Sequence, residues 1–226
     1  MKASDVVTPI RVGLRDNDAT AGYRWSNDTV FLYLQMAQEE VIKLFPGASP
    51  GWKTITLSAA DTLQMGLLPA DSLRLVRVDR NMHGEKLGAL ITGIDKELLD
   101  RTNRTALEEG QGGDIESWAK DPDDLDSFHV APAPGVKQQV RILYAKAPAV
   151  VTDLGDILAL NFRYRLPLSL LVQSLCLMED DPGADIQRGT VLLEQAYKLL
   201  GVTMQVDEGT SPKARGETAR ATALPE

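Results

Sequence analysis

The chain has 226 residues, of which 43% are hydrophobic, and its formal net charge is −8 at pH 7. This length and composition are ordinary for a globular protein with one large core, or with two small subdomains that share an interface. The negative charge argues against a broad DNA-gripping surface, which needs clustered lysine and arginine, but it allows a protein that DNA merely passes.

The single cysteine, Cys176, excludes an internal disulfide bond and a multi-cysteine metal site. Its neighbours in LSLLVQSLCLM are apolar, so we expect a buried and unreactive thiol. No basic and apolar leader opens the chain, and no uncharged apolar run reaches the roughly 18 residues of a membrane span. We therefore expect a protein that is neither secreted nor membrane-spanning.

The N-terminal region predicts two helices that pack as an antiparallel pair. Within residues 4–16, Thr8 is a candidate cap and Pro9 suits the first helical position of a short helix. The clearest helix of the chain spans residues 26–45, with Ser26 as its N-cap. Its apolar residues recur every three or four positions, which places them on one face: Val30, Phe31, Leu34, Ala37, Val41, Leu44 and Phe45.

The middle of the chain alternates in hydrophobicity and predicts a β-rich module. The adjacent apolar residues Leu75 and Val76 interrupt one alternation and suggest a bulge. A short helix over residues 96–101 follows its cap, Asp95. About five strands in antiparallel pairs fit a small sandwich or an open barrel. The strand candidates are residues 53–59, 73–80, 87–92, 127–132 and 137–146.

Residues 104–126 are rich in glycine and acidic residues and are the least structured part of the middle. A solvated acidic loop is one interpretation. A second is a projecting loop that contacts a neighbouring subunit through Trp118. A third is a divalent-cation site, although no spacing resembles a calcium-binding loop.

The C-terminal third predicts a second helix pair. Residues 167–180 are apolar nearly all round, and residues 185–200 end at the C-cap Gly201. We expect both helices to cover the helix at 26–45 in a four-helix core that includes residues 8–16. The second helix should bury one face, formed by Ile186, Leu193, Tyr197 and Leu200.

The fold class is therefore α+β: a helical bundle formed by N- and C-terminal helices, with an inserted antiparallel β-rich module. The bundle comprises residues 1–50 and 150–206, and the module comprises residues 51–149. Residues 207–226 lack periodicity and are expected to form a flexible, disordered tail, with or without a function.

Sequence signatures of catalysis are absent. His83 lies in a turn and His129 on a strand, where ordinary surface roles explain both. The chain has no HExxH pair, phosphate-binding P-loop, dinucleotide fingerprint or Gly-x-Ser-x-Gly elbow. We expect no enzyme, no cofactor and no metal. The alternative is a small ligand- or metal-binding domain of an enzyme, built on the strand-rich middle and its acidic loop.

The modules follow one another in an informative order. An Arg24-Trp25-Ser26 step leads into a helix carrying AQEEVIKLFPGA, and TLQMGLLPADSLRLVRVDRN follows. A Leu-Leu-Asp step, a tryptophan-containing loop, the strand pair SFHVAPAPGVKQQVRILYAKAP and a helix ending in YKLLG complete the series. Over residues 4–203 this order resembles the adaptor (head-to-tail connector) proteins of tailed phages, especially short-tailed ones. Two departures are the long loop after Arg104 and Pro167 near the start of the last helix pair.

The resemblance implies a virion protein that binds below the portal protein as a dodecameric ring and extends the DNA channel. DNA passes through the lumen without sequence-specific binding, and a downstream nozzle or hub protein binds below. The resemblance also implies that the helices form the ring wall and that the C-terminal segment reaches the portal. Candidate partner contacts are Trp118, Arg215, Arg220 and Leu224, and candidate subunit contacts are Gln35, Glu39 and Lys43. A neck or completion protein of a long-tailed phage is the related alternative.

Overall fold

The protein combines α-helices with two β-sheets. The structure, a computed structural model, describes residues 1–16, 22–106, 113–124, 126–179 and 185–202. In these ranges the helices are α1 (Ala3–Leu14), α2 (Asn27–Leu44), α3 (Lys96–Ala106), α4 (Arg165–Met178) and α5 (Ile186–Leu199). The strands are β1 (Pro50–Thr56), β2 (Leu63–Gln64), β3 (Ser72–His83), β4 (Lys86–Leu90), β5 (Thr92–Gly93), β6 (Ser117–Lys120), β7 (Phe128–Ala131) and β8 (Gln139–Lys146).

Helix α1 begins before its predicted start. The Ala3 N–H donates to the carbonyl oxygen of Asp156 at 2.8 Å, and the next amide donates to that of Leu154 at 2.9 Å. A distant loop thus satisfies N–H groups that a helix leaves unpaired in its first turn. Thr8 is therefore not a cap, and Pro9 lies inside the helix rather than at its first position.

Helix α2 confirms most of its predicted pattern. The Ser26 hydroxyl accepts the Thr29 N–H at 3.0 Å, as expected of an N-cap. Five of the predicted apolar residues are buried, whereas Leu44 and Phe45 are only partly buried. Gln38 is fully buried on the same face, and neither atom of its side-chain amide has a hydrogen-bond partner in the described part of the chain. The buried face is Val30, Phe31, Leu34, Ala37, Gln38, Val41 and Ile42.

Helix α4 is the centre of the helical core. It packs against α1, α2 and α5, whereas α1 and α2 do not pack along each other. The predicted α1–α2 pair and the central position of α2 are therefore wrong. The physical reason is the sequence of α4, which is apolar on nearly all sides and needs neighbours all round; Leu168 and Val172 are fully buried. Pro167 lies in the first turn, where its missing N–H costs no helical hydrogen bond.

Helix α5 confirms most of its predicted face, because Leu200 is buried and Leu193 and Tyr197 are partly buried against the core. The exception is the first residue of that face. Ile186 is 62% exposed, whereas Gly189 and Ala196 are buried. A Cβ atom at Gly189 would lie 2.5 Å from Cγ of Met178, and the Ser174 hydroxyl donates to the Gly189 carbonyl at 2.8 Å. Small residues on α5 therefore let its backbone approach α4 closely.

The strands form two four-stranded sheets with the orders β1-β8-β3-β4 and β2-β7-β6-β5. The first sheet is antiparallel throughout, and the second contains one parallel pair, β5 with β6. The bulge predicted near Leu75 is confirmed by a register shift between Leu75 and Arg77. The five predicted strands are present as β1, β3, β4, β7 and β8, and their pairings are antiparallel. Three further strands were missed because they have only two to four residues, too few to show alternation: β2, β5 and β6.

Two large hydrophobic clusters and a small one, formed by Leu99, Ala119 and Ala131, occupy the interior of the described part. One large cluster contains residues of α1, α2, α4 and α5 together with the loop residues Val151, Leu158 and Leu160. The other large cluster contains residues of both sheets, including Trp118 and Phe128, as in a sandwich. Strand β8 borders both large clusters and connects the two parts of the core.

Replacing Leu34 by alanine tests the packing of α2. Leu34 is fully buried, so Leu34→Ala should lower the free energy of unfolding by about 2–5 kcal/mol. Leu32 lies on the same helix but is 58% exposed, so Leu32→Ala should change that energy by less than about 0.5 kcal/mol. Urea unfolding of both variants measures the difference, and equal costs would contradict this orientation of α2.

Candidate functional site

The outward side of α2 is the first candidate for an interaction surface. We call Asp28, Leu32, Met36, Glu39 and Lys43 the outer α2 face, because their spacing places them opposite the buried residues. Leu32 is 58% exposed and Met36 is 47% exposed. A single exposed apolar residue is ordinary, but two that are four positions apart on one helix form a contiguous apolar patch.

The predicted subunit-contact residues have unequal positions. Gln35 is partly buried, and its side-chain N–H groups donate to Glu39 at 3.1 Å and to the Pro148 carbonyl at 3.2 Å. Gln35 is therefore engaged within its own chain. Glu39 is partly buried, and Lys43 is exposed. Leu32 and Met36 were not among the predicted contacts, although helical spacing alone places them away from the apolar face.

A second candidate surface is a group of charged and aromatic side chains on the first sheet. Trp52 of β1 is 47% exposed, and the guanidinium carbons of Arg77 and Arg141 lie 5.4 and 4.6 Å from the centre of its ring. Asp79 is 6% exposed and forms ion pairs with Arg141, with Arg77 at 3.1 Å and with Arg80 at 4.0 Å. We call these five residues the arginine cluster.

The arginine cluster depends on the pairing of three strands. Trp52 is opposite Leu143 of β8, and Arg77 is opposite the same residue from the other side. Neighbouring strands therefore bring the tryptophan and the arginines to one face. The exposure of Trp52 and of the Arg77 side chain shows that this face is directed towards solvent. The register that brings them together is not readable from any one strand.

Trp118 is not an exposed anchor. It is 6% exposed and belongs to the hydrophobic cluster between the sheets. Its strand, β6, lies within residues 104–126, which were predicted to be the least structured part of the middle. Residues 107–112 and 125 of this stretch lie outside the described residues. One side of Trp118 borders an open cleft of about 490 Å³ between β5, β6 and the start of α3. Lys96 and Lys120 line the same cleft, together with Gly93, Ile94, Asp95, Leu98 and Ala119.

Asp121, Asp123, Asp124 and Asp126 form a carboxylate-rich turn between β6 and β7, which we call the acidic turn. Asp121 accepts the Asp123 N–H at 2.9 Å, and Asp124 accepts both the Asp126 N–H at 3.0 Å and the Ser127 hydroxyl. These hydrogen bonds lower the pKa of Asp121 and of Asp124. Asp121 and Asp124 therefore stay ionised, and the turn carries concentrated negative charge.

Both histidines contact carboxylates. The His83 Nε2 lies 3.4 Å from Asp114, and the His129 Nε2 lies 3.0 Å from Asp121. In the described part of the chain, no group of three or more His, Cys, Asp or Glu side chains is placed to hold a metal ion. None of the described helices is both long enough and apolar enough to cross a membrane.

Cys176 is buried, as the sequence predicts. Its side chain is 1% exposed, and burial raises the pKa of its thiol to about 12. The thiol is therefore protonated at neutral pH and unreactive. The remaining predicted partner contacts, Arg215, Arg220 and Leu224, lie outside the described residues, as does the predicted tail at residues 207–226.

The Tyr197 hydroxyl links α5 to α2 and makes this contact sensitive to alkaline pH. It donates to a Glu40 carboxylate oxygen at 2.9 Å, and burial, followed by this carboxylate, raises the pKa of Tyr197 to about 12. A raised folded-state pKa contributes stability below about pH 10, which is lost as the pH rises towards about 12. Tyr197→Phe should lower stability at neutral pH by about 1 kcal/mol.

Urea unfolding between about pH 9 and pH 11 measures this contribution, since tyrosine ionises near pH 10. The stability difference between wild type and Tyr197→Phe should shrink as the pH rises. Tyr23→Phe is the control, because Tyr23 is exposed and distant in sequence from this contact. A difference that stays constant with pH would contradict the assignment.

No protein-family model matches this chain, and no curated protein matches its sequence. The outer α2 face, the arginine cluster, the cleft beside Trp118 and the acidic turn are therefore the observations from which a function can be argued. The arginine cluster and the acidic turn are predominantly charged, and the outer α2 face combines two exposed apolar residues with three charged ones. Surfaces of these kinds are typical of protein interfaces.

Proposed function

We propose that the chain is a structural virion protein that joins the portal to the tail as a ring and extends the DNA channel. The proposal starts from the order of the sequence modules, which resembles phage adaptor proteins. The structural observation that carries it is the outer α2 face, which leaves Leu32 and Met36 exposed on a helix of the core. In this proposal α1, α2, α4 and α5 form a helical bundle that serves as the ring wall.

A ring requires two different surfaces on each subunit, because head-to-tail contacts join unlike faces. Helix α5 offers a second surface, since Val191 is 50% and Leu199 is 54% exposed. Covering α2 of one copy with α5 of the next would remove both apolar surfaces from water. Burial of a leucine or methionine side chain contributes about 1.5–3 kcal/mol, so a few such contacts favour assembly.

The charge of the chain suits the proposed channel. Binding to DNA is driven by cations that neutralise phosphates, and a net charge of −8 disfavours it. DNA would therefore pass the ring without being held. The portal protein above, a nozzle or hub protein below and further copies of this chain are the proposed partners, in the virion.

Mixing the purified chain with a portal protein tests the proposal directly. We expect a monomer alone and a ring on the portal after mixing, visible by electron microscopy and by sedimentation. The double variant Leu32→Glu, Met36→Glu should raise the concentration needed for ring formation by at least about tenfold, because charges would enter the apolar contact. Leu87→Glu, Leu90→Glu is the matched control, since Leu87 is 52% and Leu90 is 63% exposed and both lie on β4 rather than on α2 or α5.

Two results would count against the proposal. A mixture without rings on the portal contradicts the function itself. Equal assembly of the double variant and the control contradicts the role of the outer α2 face.

A chain that ends at residue 206 tests whether the tail contributes to portal binding. We expect weaker binding to the portal, and unchanged affinity would mean that residues 207–226 do not bind it.

The cleft beside Trp118 supports a second candidate function, the binding of a small anionic ligand. Lys96 and Lys120 line the cleft, and burial, with the charge of Arg74, lowers the pKa of Lys120. A nearby anion would stabilise the charged ammonium group. The carboxylate of Asp95 lines the same cleft and opposes this.

Thermal unfolding with inorganic phosphate or citrate at about 10 mM tests this candidate through the linkage between binding and stability. A specific site predicts a rise in Tm of a few degrees that the Lys96→Ala, Lys120→Ala variant loses. Lys53→Ala, Lys86→Ala is the control, because both lysines are exposed on other strands. No rise, or an equal rise in all three proteins, would remove this candidate.

A further inference from the structure

We propose that the arginine cluster of one copy binds the acidic turn of the next copy and thereby sets the register between subunits. The inference rests on the proposed ring, because it requires copies placed side by side. It assigns a partner to a charged surface on the β-rich part of the chain. The proposed apolar contact between α2 and α5 of neighbouring copies does not depend on it.

The arginine cluster carries more positive charge than its own carboxylate neutralises. Three guanidinium groups share the carboxylate of Asp79, so two positive charges remain unneutralised within the cluster. The Arg77 side chain is 53% exposed and is the most accessible of the three. Trp52 is half-exposed beside it and holds the guanidinium groups through cation–π contacts.

The cluster is also pre-organised. Its residues lie on hydrogen-bonded strands, and Asp79 fixes Arg141 through two N–H donors, one of them at 3.1 Å. Side chains that are held in place before binding lose little conformational freedom on binding. An anionic partner would therefore meet fixed charges on a fixed surface.

The acidic turn has the complementary properties. Asp123, Asp124 and Asp126 are exposed, and none of them pairs with a lysine or arginine among the described residues. Hydrogen bonds hold the described residues on both sides of position 125, from the Asp123 N–H to Asp121 and from the Asp126 N–H to Asp124. Three neighbouring carboxylates repel one another, and a cationic surface would relieve that repulsion.

Among the described residues, no hydrogen bond or ion pair joins the two surfaces within one copy. The arginine cluster lies on β1, β3 and β8 of the first sheet, whereas the acidic turn joins β6 to β7 of the second. Contact between them therefore joins unlike surfaces of two copies. Head-to-tail contacts of this kind close into a ring when the rotation between copies permits.

Nucleic acid is the other anion to consider for the arginine cluster. Asp79 at its centre would repel a phosphate, and the chain as a whole is strongly acidic. A nucleic-acid partner would also leave the charges of the acidic turn unexplained. The second copy accounts for both surfaces at once.

A charge exchange on the full-length chain tests the inference. Arg77→Glu reverses the most exposed charge while Asp79 keeps Arg141, so the fold should persist, as checked by circular dichroism and Tm. We expect the concentration needed for rings on the portal to rise by about tenfold. Adding Asp123→Arg and Asp126→Arg to the same chain should recover most of the loss. Lys53→Glu is the matched control, because it makes the same charge change on β1 outside the cluster.

A second variant, Asp123→Arg, Asp126→Arg with Arg77 unchanged, tests the same contact from the acidic turn. These positions are exposed on a turn, so this variant tests the contact even if Arg77→Glu folds poorly. It should impair rings to a similar extent. Added salt should weaken wild-type assembly more than assembly of either variant, because screening removes only an attraction that is present.

The possible outcomes separate this inference from the proposed function. If the wild type forms no ring, both are overturned. If rings form and Arg77→Glu behaves like Lys53→Glu, only the charge contact is overturned. Loss of binding to duplex DNA by Arg77→Glu, with unchanged rings, would assign the arginine cluster to nucleic acid and overturn the second copy as its partner.

Discussion

The need to cover α4 on all sides is the constraint on which the rest of the structure depends. Leu168, Val172 and their neighbours make this helix apolar nearly all round, so it is stable only when other helices surround it. Helices α1 and α2 come from the start of the chain and α5 from its end, and all three pack on α4. Arg11 of α1 forms a buried ion pair with Asp16 and donates to the Trp25 carbonyl at 2.6 Å, which connects the end of α1 to the residues before α2. The β-rich segment lies between α2 and α4 in the sequence.

The position of α4 decides which surfaces are left for partners. Because α2 and α5 each use one side against α4, their opposite sides are available, and both expose apolar residues. Had α2 been the central helix, its outer face would have been covered and Leu32 could not serve as a contact. Because α4 rather than α2 is central, α2 keeps an exposed side that can serve in the proposed ring wall. This arrangement also moves the proposed contact from Gln35, which its own chain engages, to Leu32 and Met36.

Local signals in the sequence predicted local structure well. The Ser26 cap, the buried face of α2 and the bulge near Leu75 all follow from residues close together in the chain. The missed features have two causes: β2, β5 and β6 are too short to show alternation, and other features depend on a distant residue. The start of α1 needs the carbonyl of Asp156, and the close approach of α5 to α4 needs the space that Gly189 leaves. The candidate surfaces differ in the same way. The outer α2 face can be predicted from helical spacing, whereas the arginine cluster depends on the register between strands.

The two proposed contacts would act at different ranges and in a definite order. Surface charges are screened beyond about 8 Å at physiological ionic strength, so the arginine cluster cannot align copies from a distance in a net-acidic chain. Apolar contact between helices tolerates small displacements, because burial depends on area more than on direction. Ion pairs of arginine are directional, because a guanidinium group donates to a carboxylate well in only a few geometries. On this proposal the helical faces bring copies together, and the contact between the arginine cluster and the acidic turn selects one rotation among those that the helices allow. Because the rotation between neighbours fixes how many copies close a ring, the charged contact on the β-rich part would determine the size of a channel whose wall is helical.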